Sequence, residues 1–433
     1  CVERAVNYNQ VNNIEFNIKK LDMAYNTHIK RKHKKPKSTA ANRAKTSDFY
    51  KNKYINSSFA NNQPGAEELA LKILECLKEH PDITTIVAAL ESTSVYSIHI
   101  ANYLSSCEEL MRFKPYVFVL NPKCTANYKK SYIGLGKSDP IDAFVIADYA
   151  RAGNIESEPW RGSQFLALKR LTRHRLHLVE CMTREKTYLV SNLYLKFSEL
   201  QMLEGDDQPF CDIYGATSSS VLMEYFSPEE ILDSSEEDLI AFLAKKSRNR
   251  IKDISKTADL LKKAARDSYR LDKALYEPLN VSIASSFNCI ETFKREIKVI
   301  DNAIEKEIKG LNPNAFIILQ SIDGIGPVFA GGIIAEIGDI TAFHSSDALA
   351  KYAGLTWKSN QSGDFDGEDT PMIKAGNRYL RYYLGEAANS MRKHNVEYGT
   401  YYRKKYNEVP KHQHKRALAL TSCFFASQKS FHG

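Results

Sequence analysis

The sequence lacks any apolar run approaching the ~18 residues a membrane-spanning helix requires. Its longest, VFAGGIIA at 328–335, falls far short. The start, Cys1-Val2-Glu3-Arg4, carries an acid and leads into no apolar stretch, so no secretory signal is expected there. Cysteine is sparse and unpatterned. The eight residues Cys1, Cys76, Cys107, Cys124, Cys181, Cys211, Cys289 and Cys423 form no CxxC pair, which argues against a zinc or disulfide framework and for scattered thiols of a reducing compartment. Extremes of composition are missing as well. Hydrophobic residues at 43% and charged residues at 26% exclude a wholly disordered or collagen-like chain. At 433 residues the chain has room for two to three domains of ~150 residues.

Acid is nearly absent from one stretch. Between 29 and 53, Lys30, Arg31, Lys32, Lys34, Lys35, Lys37, Arg43, Lys45, Lys51 and Lys53 face Asp48 alone. The chain's formal excess is only +8, so this clustering matters more than the total. The run reads either as a solvated loop or as a surface for a phosphate-bearing partner.

From about 65 the pattern becomes regular. GAEELALKILECLKEH (65–80) and SVYSIHIANYLSSC (94–107) have helical spacing, and TTIVAAL (84–90) and PYVFVLN (115–121) read as short buried strands. Such alternation predicts an α/β layer with at least partly parallel strands. KSDPIDAFVIADYARAG (137–153) predicts a helix with Pro140 in its first turn. Residues 163–310 turn to long helical patterns, with Ser-x-x-Glu capping boxes expected at 227 and 234. From 312, helices separated by glycine-bearing loops follow.

Three acids stand where chemistry is often placed. Glu91 follows a buried strand at its carboxyl end, the edge where open α/β sheets put their sites. Asp139 and Asp142 share one face of a helix's first turn. Each has a plain alternative as a helix cap or dipole partner. Together they suit a hard divalent ion such as Mg2+, which takes one or two carboxylates and leaves room for phosphate. Asp22, in KKLDMAYNTH, is the candidate fourth acid, although NNIEFNIKKL before it reads as a poor strand. Ser321-Ile322-Asp323-Gly324-Ile325-Gly326-Pro327 reads as a tight turn between apolar helices, able to pack closely or to present backbone N–H groups to phosphate.

ESTSVY (91–96), VLNP (119–122) and KSDPIDAFVIADYA (137–150) resemble the amino-terminal domain of the DEDD transposases, the Piv-invertase-like recombinases of bridge-RNA insertion sequences. LDMAYNTH is similar to that family's opening motif, with Lys20-Leu21 standing where the family usually has Gly-Ile. LQSIDGIGPVFAGGIIAEIGD, YAGL, NQSG and KAGNRYLRYYLGEAA resemble its second region in order and spacing. The likeness covers about 20–200 and 230–425.

The resemblance implies an α/β plus α fold. A ribonuclease-H-like domain of the Holliday-junction-resolvase type is expected over 1–160, a long helical or coiled-coil arm over 161–311, and a mainly helical transposase domain over 312–433 with a helix-hairpin-helix-like segment. It implies Mg2+ on Asp22, Glu91, Asp139 and Asp142, and a nucleophilic serine in a loop, Ser362, with Ser359 as runner-up. Arg378 and Arg381 on the following helix are candidates to neutralise phosphate. The implied partners are donor and target DNA and a structured non-coding guide RNA, in a homodimer or homotetramer with no membrane. Lys30, Arg31, Lys32, Lys34, Lys35, Lys37, Arg248, Arg250, Gly324 and Gly326 are its candidate nucleic-acid contacts. A cytoplasmic, nucleoid-associated prokaryotic protein is expected. Two alternatives stay open: a structure-specific metal-dependent nuclease using water, and an inactive nucleic-acid-binding remnant.

Overall fold

The computed structural model describes residues 11–19, 24–31, 54–78, 81, 83–92, 95–132, 134–155, 159–343, 345–357, 361–362, 365–366 and 372–426; for 11–19, 24–31, 54–56, 342, 361–362 and 365–366 it describes the backbone alone. The chain divides into two compact units, Cys1–Ala167 with Gly338–Ser345, and Leu168–Ile337 with Ser346–Phe431.

The first unit is built on a five-stranded sheet in the order β3-β1-β2-β4-β5. Strand β1 (Val11–Lys19) pairs antiparallel with β2 (Ala24–Arg31) and with β3 (Tyr54–Ala60). The segment read as a poor strand is therefore a strand. Ile14, Phe16 and Ile18 alternate with polar neighbours, the two-residue period that a sheet requires. The basic stretch opens inside β2 rather than in a loop. Helix α1 (Gln63–Lys78) starts behind Asn62, whose Oδ1 accepts the Gly65 N–H at 3.0 Å. Strand β4 (Val87–Glu91) then runs parallel to β2. Helices α2 (Tyr96–Ser106) and α3 (Glu108–Met111) lead to β5 (Tyr116–Leu120), parallel to β4.

The sheet is covered on both faces at β4, which explains why residues 87–90 are apolar rather than alternating. Ala88 and Leu90 face a core with Leu69 and Ile73 of α1 and Ile100 and Leu104 of α2. Ala89, between them, packs with Leu120 and with Ile146 of a later helix. Asn121 and Pro122 start α4 (Pro122–Lys129): the Asn121 side chain accepts the Lys123 N–H at 3.0 Å, and proline fits the first helical position. Helix α5 (Asp139–Arg151) carries Ile146.

Most of the second unit is helical. Helix α6 (Ser163–Lys196) runs beside a 39-residue helix further on. Between them lie α7 (Ala216–Glu224), α8 (Pro228–Asp233), α9 (Glu236–Ser247) and α10 (Ile254–Asp267), and the long partner is α11 (Lys273–Leu311). Arg175 meets Asp301 while Glu185 meets Ser286, so the two long helices are antiparallel. Along α11, Ile283, Phe287, Ile290, Ile297, Ile304 and Ile308 are buried, a spacing of threes, fours and sevens that forms one continuous seam. The short helices cluster on Leu189 and Leu193 of α6 and on Phe197 just past its end. There Lys196 is buried, its Nζ donating to Leu222 O at 2.7 Å, Tyr225 O at 2.6 Å and Asn280 Oδ1 at 2.5 Å. Burial lowers its pKa to about 8.

The capping expectations shift by small distances. Ser235, not Ser234, caps α9 by accepting the Asp238 N–H at 3.0 Å. At α8 the Ser227 side chain forms no cap bond. Glu230 alone reaches back, accepting the Phe226 N–H at 2.6 Å.

Helices α12 (Pro313–Gln320) and α13 (Pro327–Ile337) flank the glycine turn, and α14 (Ser346–Ala353) follows. Four two-residue strands come next: β6 (Thr356–Trp357), β7 (Gln361–Ser362), β8 (Phe365–Asp366) and β9 (Met372–Ile373). Helices α15 (Arg378–His394), α16 (Val396–Asn407) and α17 (Gln413–Ala426) complete the unit. Tyr383 of α15 is fully buried and donates its hydroxyl to Thr172 O at 2.7 Å, tying α15 to α6.

Candidate functional site

In the first unit, the carboxyl end of β4 and the start of α5 carry the expected acids. Glu91 is the last residue of β4, and Asp139 and Asp142 lie in the first turn of α5. Helix α4 touches both places. Thr125, buried on α4, donates to Pro122 O at 3.1 Å and lies a long 3.5 Å from Glu91 Oε1. One turn further, Lys129 Nζ donates to Asp142 Oδ1 at 2.5 Å. Residues four apart share a helix face, so a single face of α4 addresses acids from two different elements.

Asp148, deeper on α5, anchors this arrangement. It accepts hydrogen bonds from Tyr128 OH at 2.9 Å, from Tyr132 OH, and from Arg151 Nε at 2.8 Å. Burial works to raise its pKa, but these donors and the Arg151 charge overrule it and hold the carboxyl below its ordinary value. Burial raises the Tyr132 hydroxyl's pKa strongly, and the bond to Asp148 adds to the rise.

A donor set of carboxylates alone fits a hard divalent ion. Among the described residues no three acids, histidines or cysteines already stand together as a ligand group. Asp22 lies outside the described residues.

In the second unit, Ser362 is not in an open loop. It lies on β7, which pairs antiparallel with β8 (Ser362 opposite Phe365), while β6 pairs with β9 (Trp357 opposite Met372). The nested pairs form a ribbon between α14 and α15. Its base is clamped: the Asn377 N–H donates to Tyr352 O at 2.7 Å, and Arg381 Nη1 donates to Ala353 O at 2.8 Å and Lys374 O at 3.3 Å. Asn377 also caps α15, its Oδ1 accepting from Tyr379 and Leu380 N–H.

Behind that cap lies Glu336. Its side chain is fully buried, with Arg173 donating to it at 2.7 and 2.9 Å, Asn377 Nδ2 at 2.7 Å and Lys169 Nζ 3.8 Å away. Burial alone would raise its pKa. The Arg173 hydrogen bonds, the nearby cations and the Asn377 amide instead hold it below the ordinary range. Arg173 also lies 4.2 Å over the Tyr379 ring.

The other candidates fall as follows. Lys30 and Arg31 are on β2; Lys32, Lys34, Lys35, Lys37 and Ser359 lie outside the described residues. Arg248 and Arg250 are exposed on the turn after α9, where Arg248 takes φ 52°. Gly324 and Gly326 lie in the α12–α13 turn. Gly324 takes φ +98°, and a Cβ there would stand 2.9 Å from the Met391 backbone, so close helix packing requires this glycine. Arg378 pairs with Glu180 at 2.5 Å, and Arg381 bonds the ribbon base through Nη1. The sequence reasoning missed Thr125, Lys129, Glu336, Arg173 and the clamp of Asn377. For Lys129 a signal existed: Asn121-Pro122 fixes the helix start, which puts Thr125 and Lys129 on one face.

Acids on a sheet edge and helix start in one unit, with a serine ribbon in the other, match a known class in two places. Residues 41–198 match the IS110-type DEDD transposase profile, and residues 317–403 match the transposase IS116/IS110/IS902 family profile. An uncharacterized 42 kDa protein of insertion element IS900 from Mycobacterium paratuberculosis is 29% identical over 67% of this chain and 70% of its own length. The IS110 uncharacterized 43.6 kDa protein of Streptomyces coelicolor is 27% identical over 58% of this chain, and only 59% of that protein is spanned. The IS116 uncharacterized 44.8 kDa protein of Streptomyces clavuligerus is 25% identical over 60%, with 63% of its length spanned. The chain belongs to the IS110/IS116 family of DEDD transposases. The first match begins after Asp22 and contains Glu91, Asp139 and Asp142; the second contains Ser362. The class carries an implied dependence on a divalent metal. No described helix is long and apolar enough to cross a membrane.

Proposed function

We propose that this chain is a DNA transposase that cleaves and rejoins strands by phosphoryl transfer. The observation that carries the reading is the division of the match: one segment brings the acids of the first unit, the other the serine ribbon of the second. Glu91, Asp139 and Asp142, with Asp22, would hold the divalent ion, with Mg2+ the expected one. That ion supplies charge stabilisation for the phosphoryl oxygens.

The chain's own chemistry is then nucleophilic. Ser362 Oγ forms a bond to a backbone phosphorus, the P–O bond to the adjacent nucleotide breaks, and the serine proton ends on the departing hydroxyl. Rejoining is the reverse, with a different DNA hydroxyl displacing the serine. Keeping the phosphate on Ser362 conserves the bond between the two steps. The reading makes the acids and the serine parts of a composite active site shared across subunits, in a homodimer or homotetramer. The resemblance further points to a structured guide RNA that selects the DNA, with Lys30 to Lys37 and the exposed Arg248 and Arg250 as phosphate contacts.

The test is the covalent link. Protein incubated with Mg2+ and a branched DNA substrate is expected to give a denaturation-resistant protein–DNA adduct. Ser362→Ala should bind DNA and form none, and Ser359→Ala should retain it. Free DNA ends without an adduct, even in rapid-quench samples, would replace the serine with water and make the protein a nuclease. Binding without any cutting would make it a non-catalytic relative.

A further inference from the structure

We propose that Lys129 is the resident counter-cation of the acidic site and competes with the divalent ion for Asp142. The inference rests on the acidic-site assignment above and adds a residue that tunes it. Lys129 Nζ lies 2.5 Å from Asp142 Oδ1, and the two side chains keep only 23% and 26% of their exposure. This is a defined, three-quarters buried pair rather than a loose surface contact.

Its placement is fixed from behind. Tyr128, the preceding residue, bonds Asp148 and packs edge-on against Tyr132 and Tyr149 with ring centroids 5.6 and 5.3 Å apart. The end of α4 therefore cannot swing away freely. Thr125, on the same face, approaches Glu91, so Lys129 stands beside a second expected ligand's element and not only beside its own partner. Asp142 already sits in the first turn of α5, where the helix dipole stabilises a carboxylate unaided. What the lysine adds is a compensating charge on Asp142, a turn along α4 from the Thr125 that approaches Glu91. An ion that takes Asp142 has to displace the ammonium, so Lys129 lowers the affinity of the site for divalent ions.

Mn2+ binding to the full-length protein, read as free Mn2+ by electron paramagnetic resonance without DNA, tests this directly. Lys129→Met and Lys129→Gln are expected to bind roughly two- to five-fold tighter than wild type, the range of a partly exposed ion pair. Lys129→Arg should stay near wild type. Equal or weaker binding in both neutral variants, with circular dichroism showing a native fold, overturns the proposal and leaves Lys129 as a structural pair. Glu91→Gln and Asp139→Asn serve as the separate check. If they bind Mn2+ as wild type does, the acidic-site assignment fails and the proposal with it; if they lose binding while Lys129→Met is unchanged, only the proposal fails.

Discussion

Replacing Glu336 by Gln keeps the shape of the side chain and removes the charge on which Arg173 is seated. Glu336 has no exposed side-chain surface, whereas Arg173 keeps 37%. Breaking a fully buried pair typically costs about 3–5 kcal/mol. The freed guanidinium can regain water through its exposed part, so the expected loss for Glu336→Gln is smaller, about 2–3 kcal/mol. At roughly 2–4 °C per kcal/mol for a unit of this size, the second unit should melt roughly 4–12 °C lower. Arg173→Met should cost more than Glu336→Gln, because it leaves the fully buried partner charged, with the Asn377 amide at 2.7 Å and the Lys169 ammonium only at 3.8 Å to face it.

The pH dependence follows from the direction of the shift. The Glu336 carboxyl is held below its ordinary 4.5 in the folded protein, so its stabilisation is complete above that value and is lost as pH falls through the folded value. The gap between wild type and Glu336→Gln should be full near neutrality and close on acidification below the carboxylate range. Thermal melts of wild type, both single variants and the double variant at several pH values supply the assay and the double-mutant cycle. A Glu336→Gln melting point within about 1 °C of wild type at neutral pH, or a gap that does not narrow in acid, would refute the argument.

Two further outcomes concern the site and the glycine turn. On the proposed acidic site, Glu91→Gln and Asp139→Asn should each abolish divalent-dependent DNA cleavage while leaving DNA binding nearly unchanged, measured by parallel cleavage and retention assays, because residues holding a divalent ion would act on the transition state more than on the bound ground state. Gly324→Ala should destabilise the second unit by about 1–3 kcal/mol in urea melts, since its φ of +98° and the Met391 backbone 2.9 Å from a Cβ both oppose a side chain; an unchanged midpoint would mean that the turn relaxes freely.

The sequence by itself determined the local elements and the order of the chemistry. The apolar runs at 84–90 and 115–121 become β4 and β5 because uninterrupted apolar strands need cover on both faces, and α1 on one side and α5 on the other provide it. The Asp139–Asp142 spacing placed both acids in the first turn of α5, and the motif order separated Glu91 from Ser362 by most of the chain. Val11–Lys19 is the exception: its many polar residues read as a poor strand, and pairing with β2 and β3 makes it one of the sheet's strands.

Tertiary structure decided which side chains meet, since sequence spacing encodes neighbours only within an element. Lys129 with Asp142 joins two helices, and Arg173 with Glu336 joins residues 163 positions apart. Arg381 read as a candidate phosphate contact, and packing gives its Nη1 a second set of partners, the carbonyls of Ala353 and Lys374. Gly324 looked like a backbone grip and answers first to Met391. In each case the partner lies on another element, and only packing brings it within hydrogen-bond or van der Waals distance.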